Sequence, residues 1–281
     1  MIIAQISDLH IGFAGEGIPC KNIERLSIVV DELNGLMASP DLVIATGDLV
    51  ESGAPWAYRE LKNTLNQIKC PVYLAFGNHD RRTPFAEVFP HIPYTDGFLQ
   101  YTIDDFPVRI IVLDTLREGW HGGSFCDARG AWLEAELAKE PEKPTVIAMH
   151  HPPIKTGIGW LTSDPCMEWV KRLERIVLGH KQVIHMVAGH VHRSIFKQFA
   201  GSTLSVTQAI APQSKLELAE IDPEVPDGRG MLVESRPGYC LHYWDGNSIT
   251  THSGQAPHGK ILFHYNEKFA YVVKHTLDLD H

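Results

Sequence analysis

The chain has 281 residues, 44% hydrophobic and 21% charged, with a formal net charge of −9 and no run of lysine or arginine. This composition is typical of a compact globular protein, and the negative charge makes general binding to nucleic acid or to an anionic membrane unexpected. The stretch MIIAQISDLH lacks the basic start of a secretory signal, and no run of about eighteen apolar residues occurs, so we expect a soluble, cytoplasmic protein.

Short apolar runs of strand length alternate with segments of helical period up to about residue 200. The predicted strands are MIIAQI, DLVIAT, PVYLAF, VRIIVLD, TVIAMH and QVIHMVAG. Residues 21–37 carry apolar side chains at helical spacing, and the same spacing recurs at 61–68 and at 169–177, after a helix start at SDP. This alternation predicts an α/β fold with a largely parallel sheet.

Beyond residue 200 the pattern changes to strands and hairpins. TLSVTQAIA predicts a strand, and YCLHYW and SITTH flank Asp245-Gly246-Asn247, which is a hairpin turn signal. ILFHYNEKFAYVV resembles a second hairpin, and EIDPEVPDGRG predicts a turn-rich loop or linker. The five cysteines are scattered with no C-x-x-C pair, so we expect free thiols.

Five of the predicted strands end in clusters of polar residues. The clusters are DLH at 8–10, GD at 47–48, GNHD at 77–80, HH at 150–151 and GHVH at 189–192. Open α/β sheets place their ligand site at the carboxyl ends of the strands, so these clusters are expected to converge. In an extended D-x-H or H-x-H both side chains lie on one side of the chain, and glycine before Asp48, Asn78 and His190 permits close approach of the backbone.

The converging residues have the chemistry of metal ligands. The candidates are Asp8, His10, Asp48, Asn78, His150, His190 and His192. Carboxylate, imidazole and amide without thiolate suit two divalent ions such as iron, zinc, manganese or cobalt, about 3.5 to 4 Å apart, with Asp48 as the candidate bridge. Two dications, two carboxylates and one hydroxide leave a charge of about +1, which matches a phosphodiester monoanion.

These motifs, in this order, resemble the calcineurin-like metallophosphoesterases, and with MHHPP they are most similar to the bacterial branch of class III cyclic nucleotide phosphodiesterases and glycerophosphodiesterases. The resemblance implies one metal at Asp8, His10, Asp48 and His192 and another at Asp48, Asn78, His150 and His190. It also implies a four-layer αββα sandwich of two mixed sheets with a C-terminal hairpin extension. Residues 1–220 would be the catalytic core, and residues 221–281 would complete the second sheet, with an oligomer contact there, in a single structural domain.

The remaining polar residues receive separate interpretations. Asn78 offers a neutral oxygen to a metal, while His79 faces the substrate and either stabilises the transition state or protonates the leaving alkoxide. Asp80 either orients an imidazole or caps backbone amides in a turn. We expect packing or support of a ligand for His151 and a hydrogen-bonded core position for His185, and we assign no role to His121 or His264.

The expected reaction is hydrolysis of a small phosphodiester, such as 3',5'-cAMP or a glycerophosphodiester, by a metal-held hydroxide. Phe13 and Trp160 lie in loops that could wall the pocket. One alternative is a phosphomonoesterase or protein phosphatase on the same site. It is disfavoured because protein phosphatases of this superfamily usually carry arginine immediately before G-N-H-E, whereas here Phe76 precedes Gly77 and the acid is Asp80. A non-catalytic binding scaffold is disfavoured because all the candidate ligands are present. Homo-oligomers are expected.

Overall fold

The computed structural model of the protein describes residues 1–278. Its helices are α1 (Lys21–Gly35), α2 (Pro55–Leu65), α3 (Arg82–Val88), α4 (Asp127–Lys139), α5 (Glu168–Leu178) and α6 (Ala270–Asp278). Its strands are β1 (Ile2–Ile6), β2 (Leu42–Thr46), β3 (Val72–Ala75), β4 (Tyr101–Ile103), β5 (Arg109–Val112), β6 (Thr145–Ala148), β7 (Val183–Ala188), β8 (Ile195–Phe199), β9 (Ser202–Val206), β10 (Gln213–Ser214), β11 (Leu232–Val233), β12 (Gly238–Trp244) and β13 (Ile249–Gln255). A short 3-10 turn, Glu267–Phe269, precedes α6.

The strands form two large mixed sheets. The first has the order β13-β12-β1-β2-β3, with β1, β2 and β3 parallel and the C-terminal hairpin antiparallel to β1. The second has the order β4-β5-β6-β7-β9-β8, with antiparallel strands at both edges. A two-stranded ribbon joins β10 and β11. In both sheets the carboxyl ends of the parallel strands provide the loops that carry the candidate ligands.

The two sheets pack face to face with helices outside them. Side chains that alternate along the second sheet belong to different cores, because successive residues of a strand face opposite sides. Ile110 and Val146 pack in the core that includes the first sheet, α1 and α2, whereas Ile111 and Ile147 pack in the core that includes α4 and α5. The layers are therefore helix, sheet, sheet and helix, which confirms the predicted αββα sandwich.

Two expectations for the C-terminal part are wrong. The β12–β13 hairpin pairs with β1 and completes the first sheet, whereas we expected the C-terminal strands in the second sheet, whose outer strands are β4 and β8. The predicted second hairpin is instead irregular chain followed by the 3-10 turn and α6. No strand pairs with this segment in the described structure, and a helix satisfies its own backbone hydrogen bonds without a partner. Near α5, the helix begins at Glu168 and not at SDP.

Two buried histidines face each other between the sheets. His185 lies on β7 and donates or accepts a 2.9 Å hydrogen bond with the Ser205 hydroxyl, as expected of a core histidine. His242 lies on β12, bonded to Gln5 Oε1 at 3.1 Å and to Thr251 Oγ1 at 2.9 Å, and the two rings are 5.3 Å apart. Burial lowers the pKa of His185 to about 4, and burial together with His185 lowers the pKa of His242 well below its ordinary value.

These histidines make the stability of the fold sensitive to acid. An unfolded histidine titrates at about pH 6.5, so between that pH and the lower pKa of the folded protein the unfolded chain binds more protons. The free energy of unfolding should therefore fall on acidification below about pH 6.5, by up to about 1.4 kcal/mol per pH unit for each histidine. Urea unfolding from about pH 7.5 to about pH 5 measures this slope. His185→Gln should reduce it, His252→Gln on the exposed side of β13 should not, and equal slopes in all three proteins would contradict the assignment.

Candidate metal centre

The polar loops that follow five parallel strands meet at one edge of the sandwich. Backbone hydrogen bonds join the first two loops, since the amides of Leu9 and His10 both donate to the carbonyl of Asp48, at 2.8 and 3.0 Å. The amide of Gly189 donates to the carbonyl of His150 at 3.0 Å and joins the loops after β6 and β7. The convergence predicted from the strand ends is therefore observed.

Most of the candidate ligands have a left-handed backbone. The φ angles are 54° at Asp8, 45° at His10, 47° at Asp48, 71° at His190 and 54° at His192. Such angles are uncommon for residues other than glycine, and strained backbone of this kind concentrates at functional sites. The D-x-H and H-x-H pairs are therefore not extended, contrary to our expectation. The backbone of each pair turns sharply at these left-handed residues, which directs the side chains toward the same site.

The glycine before a candidate ligand permits close packing, as expected. A Cβ atom added to Gly77 would lie 2.2 Å from the amide nitrogen of Asp48, and one on Gly189 would lie 1.9 Å from Ser7 Oγ. Any side chain at these positions would push the loops apart.

The first cluster of ligand atoms contains Asp8, His10 and His192, whose donor atoms lie within 4.8 Å of one another. His192 Nε2 is 3.3 Å from Asp8 Oδ1, and His10 Nε2 is 3.2 Å from His192 Nε2. This is the set that the family resemblance implies for one metal, apart from the shared Asp48.

The second cluster is built around His150. Its Nε2 lies 3.2 Å from Asp48 Oδ2 and 3.2 Å from Asn78 Oδ1, and the His190 ring lies 5.1 Å from the His150 ring. Asp48 Oδ2 is also 3.6 Å from His10 Nε2 of the first cluster. The same carboxylate oxygen therefore lies between the two clusters, which is the position that a bridging ligand requires.

The histidines are held with Nε2 directed at the clusters. His10 Nδ1 donates to the Glu51 carboxylate at 2.7 Å, His150 Nδ1 to the Thr46 carbonyl at 2.8 Å, and His192 Nδ1 to the Pro212 carbonyl at 2.8 Å. An imidazole whose Nδ1 carries the proton presents a lone pair on Nε2, which is the atom that binds a metal.

The electrostatics of the site favour bound cations. Burial by itself raises the pKa of Asp8 and Asp48, but His192 beside Asp8 and His150 beside Asp48 outweigh it and hold both pKa values below the ordinary one. Within residues 1–278 the ion pairs of these carboxylates are with histidines alone. Burial and the neighbouring His150 lower the pKa of His190, so that ring is neutral. Burial lowers the pKa of His150 and His192, but Asp48 beside His150 raises the pKa of His150 to about 9, and Asp8 beside His192 raises the pKa of His192. Without a metal these two rings therefore balance the buried carboxylates with protons, and divalent ions bound in their place would supply that positive charge.

His79 lies beside the clusters and faces the open side of the site. Its backbone amide donates to Asp48 Oδ1 at 2.9 Å, and its Nδ1 donates to the Glu51 carbonyl at 2.8 Å. The side chain is 30% exposed, and its ring lies 4.6 Å from the His10 ring. The Nε2 atom is thereby left available to a substrate.

Within residues 1–278 the carboxylate of Asp80 makes no hydrogen bond to an imidazole, so the orienting role predicted for it is not observed there. Its carboxylate accepts from the amides of Gly77 at 2.8 Å and Leu49 at 3.2 Å, and from the Tyr58 hydroxyl at 3.0 Å. This is the capping alternative, which fixes the loop that carries Asn78. Burial and the charge of Asp48 raise the pKa of Asp80 to about 7.

His151 is placed beside the second cluster but is held by protein groups at both ring nitrogens. Nδ1 is 2.8 Å from the Thr115 hydroxyl, and Nε2 donates to the His121 carbonyl at 3.2 Å. A ring in this tautomer has no free lone pair, which agrees with the expected supporting role.

Sequence reasoning missed Glu51 and His121. Glu51 binds His10 through its carboxylate and His79 through its carbonyl, and its position close after the GD motif was the available signal. His121 contacts Asn78 and lies 4.8 Å from the His190 ring, but it follows no strand end, so no pattern marked it.

A cavity of about 470 Å³ opens over the clusters. Phe13 and Trp160 line it, as their loops suggested, and so does Leu232. Leu232 lies beyond residue 220, so the C-terminal part of the chain also contributes to the wall of the site.

A sandwich of two mixed sheets with carboxylates and imidazoles clustered at the strand ends is the architecture of a metallophosphoesterase. Residues 1–194 match the family model described as calcineurin-like phosphoesterase, and the chain belongs to this family.

Several relatives are phosphodiesterases. A probable glycerophosphodiester phosphodiesterase, GpdQ, of Arcobacter nitrofigilis is 32% identical over 95% of this chain and 98% of its own. A probable cyclic nucleotide phosphodiesterase of Rhodopseudomonas palustris is 32% identical over 84% and 90%. The 3',5'-cyclic adenosine monophosphate phosphodiesterase CpdA of Escherichia coli is 24% identical over 76% and 77%. These similarities assign the chain to the phosphoric diester hydrolases.

Solved structures share the fold. A dimetal phosphatase from Danio rerio superposes with a TM-score of 0.67 at 15% identity, covering 91% of this chain and 96% of its own. A purple acid phosphatase from yellow lupin gives a TM-score of 0.63 at 16% identity, covering 93% of this chain and 52% of its own.

Proposed function

We propose that the protein hydrolyses small phosphodiesters, cyclic nucleotides or glycerophosphodiesters, with two divalent transition metal ions. The observation that carries this proposal is the position of Asp48 Oδ2, 3.6 Å from His10 Nε2 in one cluster and 3.2 Å from His150 Nε2 in the other. The relatives named above supply the two substrate classes.

The ligands divide between two ions as the clusters do. One ion would be held by Asp8, His10, Asp48 and His192, and the other by Asp48, Asn78, His150 and His190. Bound ions of this kind polarise phosphoryl oxygens and make water a nucleophile at neutral pH.

The chain itself contributes orientation and a proton. Glu51 fixes the rings of His10 and His79, so that Nε2 of His79 meets the substrate on the open side of the site. Because Nδ1 donates to the Glu51 carbonyl, Nε2 can donate only when the ring is an imidazolium; in that form His79 would give a hydrogen bond to the phosphoryl group or transfer its Nε2 proton to the leaving oxygen and become neutral. Phe13 and Trp160 pack against the organic part of the diester in the cavity.

The experiment that tests the proposal compares diester and monoester hydrolysis. Metal-depleted protein reconstituted with manganese, zinc, cobalt or iron should hydrolyse bis-p-nitrophenyl phosphate faster than p-nitrophenyl phosphate, and chelation should abolish both. A turnover screen with cyclic AMP, 2',3'-cyclic nucleotides and glycerophosphoethanolamine then identifies the substrate class. Faster monoester hydrolysis would favour a phosphomonoesterase, and no hydrolysis with any metal would favour a binding scaffold.

We also propose a cytoplasmic homo-oligomer with no nucleic acid or membrane partner. The five cysteines are free thiols, which suits a reducing compartment. None of the helices within residues 1–278 is long and apolar enough to cross a bilayer.

The segment before α6 exposes large apolar side chains, including Leu262, Phe263 and Tyr265, which are 75%, 72% and 73% exposed. A second copy of the chain would cover them, and sedimentation with and without residues 261–281 tests this.

A further inference from the structure

His121 lies in the loop between β5 and α4, and its ring reaches the second cluster. Its Nδ1 is 3.3 Å from Asn78 Nδ2, while Asn78 Oδ1 is 3.2 Å from His150 Nε2. The amide of Asn78 is therefore oriented with its nitrogen toward His121 and its oxygen toward the cluster.

The loop that carries His121 is held by His151, which follows β6. Nε2 of His151 donates to the His121 carbonyl at 3.2 Å, and the Thr115 hydroxyl is 2.8 Å from His151 Nδ1. Gly123 allows the loop to pack tightly here, because an added Cβ would lie 2.8 Å from His151 Cβ. Hydrogen bonds thus run continuously from Thr115 through His151 and His121 to Asn78.

The direction of these bonds follows from the groups themselves. An amide NH₂ only donates, so the His121 Nδ1 accepts, and the neutral ring carries its proton on Nε2. Without an acceptor at this position, the Asn78 amide would be free to rotate and to turn its NH₂ group, which cannot bind a cation, toward the cluster.

We infer that His121 is a positioning residue, which accepts a hydrogen bond from Asn78 and so keeps the Asn78 oxygen directed at the second metal position. The inference rests on the proposed function, because that position is one of the two proposed there. Supporting groups of this kind typically change metal affinity by about 10–100-fold.

The experiment titrates Mn²⁺ alone into the metal-depleted full chain by calorimetry and equilibrium dialysis. His121→Phe keeps the ring shape without the acceptor and should weaken one of two Mn²⁺ equivalents by about 10–100-fold, leaving the other unchanged. His121→Asn returns an oxygen acceptor near the Nδ1 position and should recover most of the lost affinity. Thermal unfolding of each metal-free protein shows that the fold is retained, and His252→Phe is the matched exposed control.

A double-mutant cycle separates this role from a packing effect. If His121 acts through Asn78, His121→Phe should add nothing to the loss of affinity caused by Asn78→Ala. Unchanged binding in His121→Phe, failure of His121→Asn to recover, or additive losses would overturn the inference while leaving the proposed function standing. Fewer than two Mn²⁺ equivalents in the unmodified protein would refute the proposed function itself, and the inference with it.

Discussion

Asp48→Asn should lower kcat/KM for a phosphodiester by at least about a thousandfold, which corresponds to about 4 kcal/mol of transition-state stabilisation. The substitution keeps the size of the side chain, and the His79 amide that donates to Oδ1 at 2.9 Å can still find an acceptor. What it removes is a negative charge and the oxygen between the two clusters, so we expect the chain to fold but to lose bound metal. Steady-state kinetics with metal analysis measures both effects.

The matched control for this variant is Asp31→Asn. Asp31 is an exposed aspartate on α1 that does not line the cavity, and its replacement should change neither activity nor metal content. Near-normal turnover of Asp48→Asn, with two metals still bound, would show that this carboxylate does not bridge.

His79→Ala should lower kcat by about 10²–10⁴-fold while the metal content stays at two ions per chain. The reason is that the His79 amide is held by Asp48 Oδ1 and the His79 Nδ1 by the Glu51 carbonyl, so Nε2 of the ring is free to act on the substrate, although the ring itself lies 4.6 Å from the His10 ring. The fold should persist, because the side chain is 30% exposed. Rates with excess substrate, together with metal analysis, measure these two expectations.

The choice of leaving group separates the two roles proposed for His79. If the ring protonates a leaving alkoxide, the loss in His79→Ala should be large for glycerophosphoethanolamine and much smaller for bis-p-nitrophenyl phosphate, whose leaving group needs no proton. An equal loss with both substrates would assign His79 to stabilisation of charge on the phosphoryl group. A variant with normal rates on both would remove His79 from the mechanism. His252→Ala, at an exposed position, is the control.

The strands and the residues at their ends were largely predictable from the sequence. Continuous apolar runs are typical of strands buried on both faces, and β1, β2 and β6 occupy the predicted runs. Because parallel strands present their carboxyl ends at one edge, the order DLH, GD, GNHD, HH and GHVH was enough to predict which side chains would meet. The prediction of secondary structure was wrong for the segment that contains α6, where a hairpin was expected. In the described structure this segment pairs with no strand, and its end is a helix.

The sequence by itself determined the class of fold, the identity of the clustered ligands and the chemistry that such ligands suit, because strand period and ligand type are local properties. Only the tertiary structure decided which sheet receives the C-terminal hairpin, which nitrogen of each histidine faces the clusters, and that Glu51 and His121 support His10, His79 and Asn78. These features depend on hydrogen bonds between loops distant in the chain, and the partner of a side chain in such a bond is set by packing and not by its neighbours in sequence.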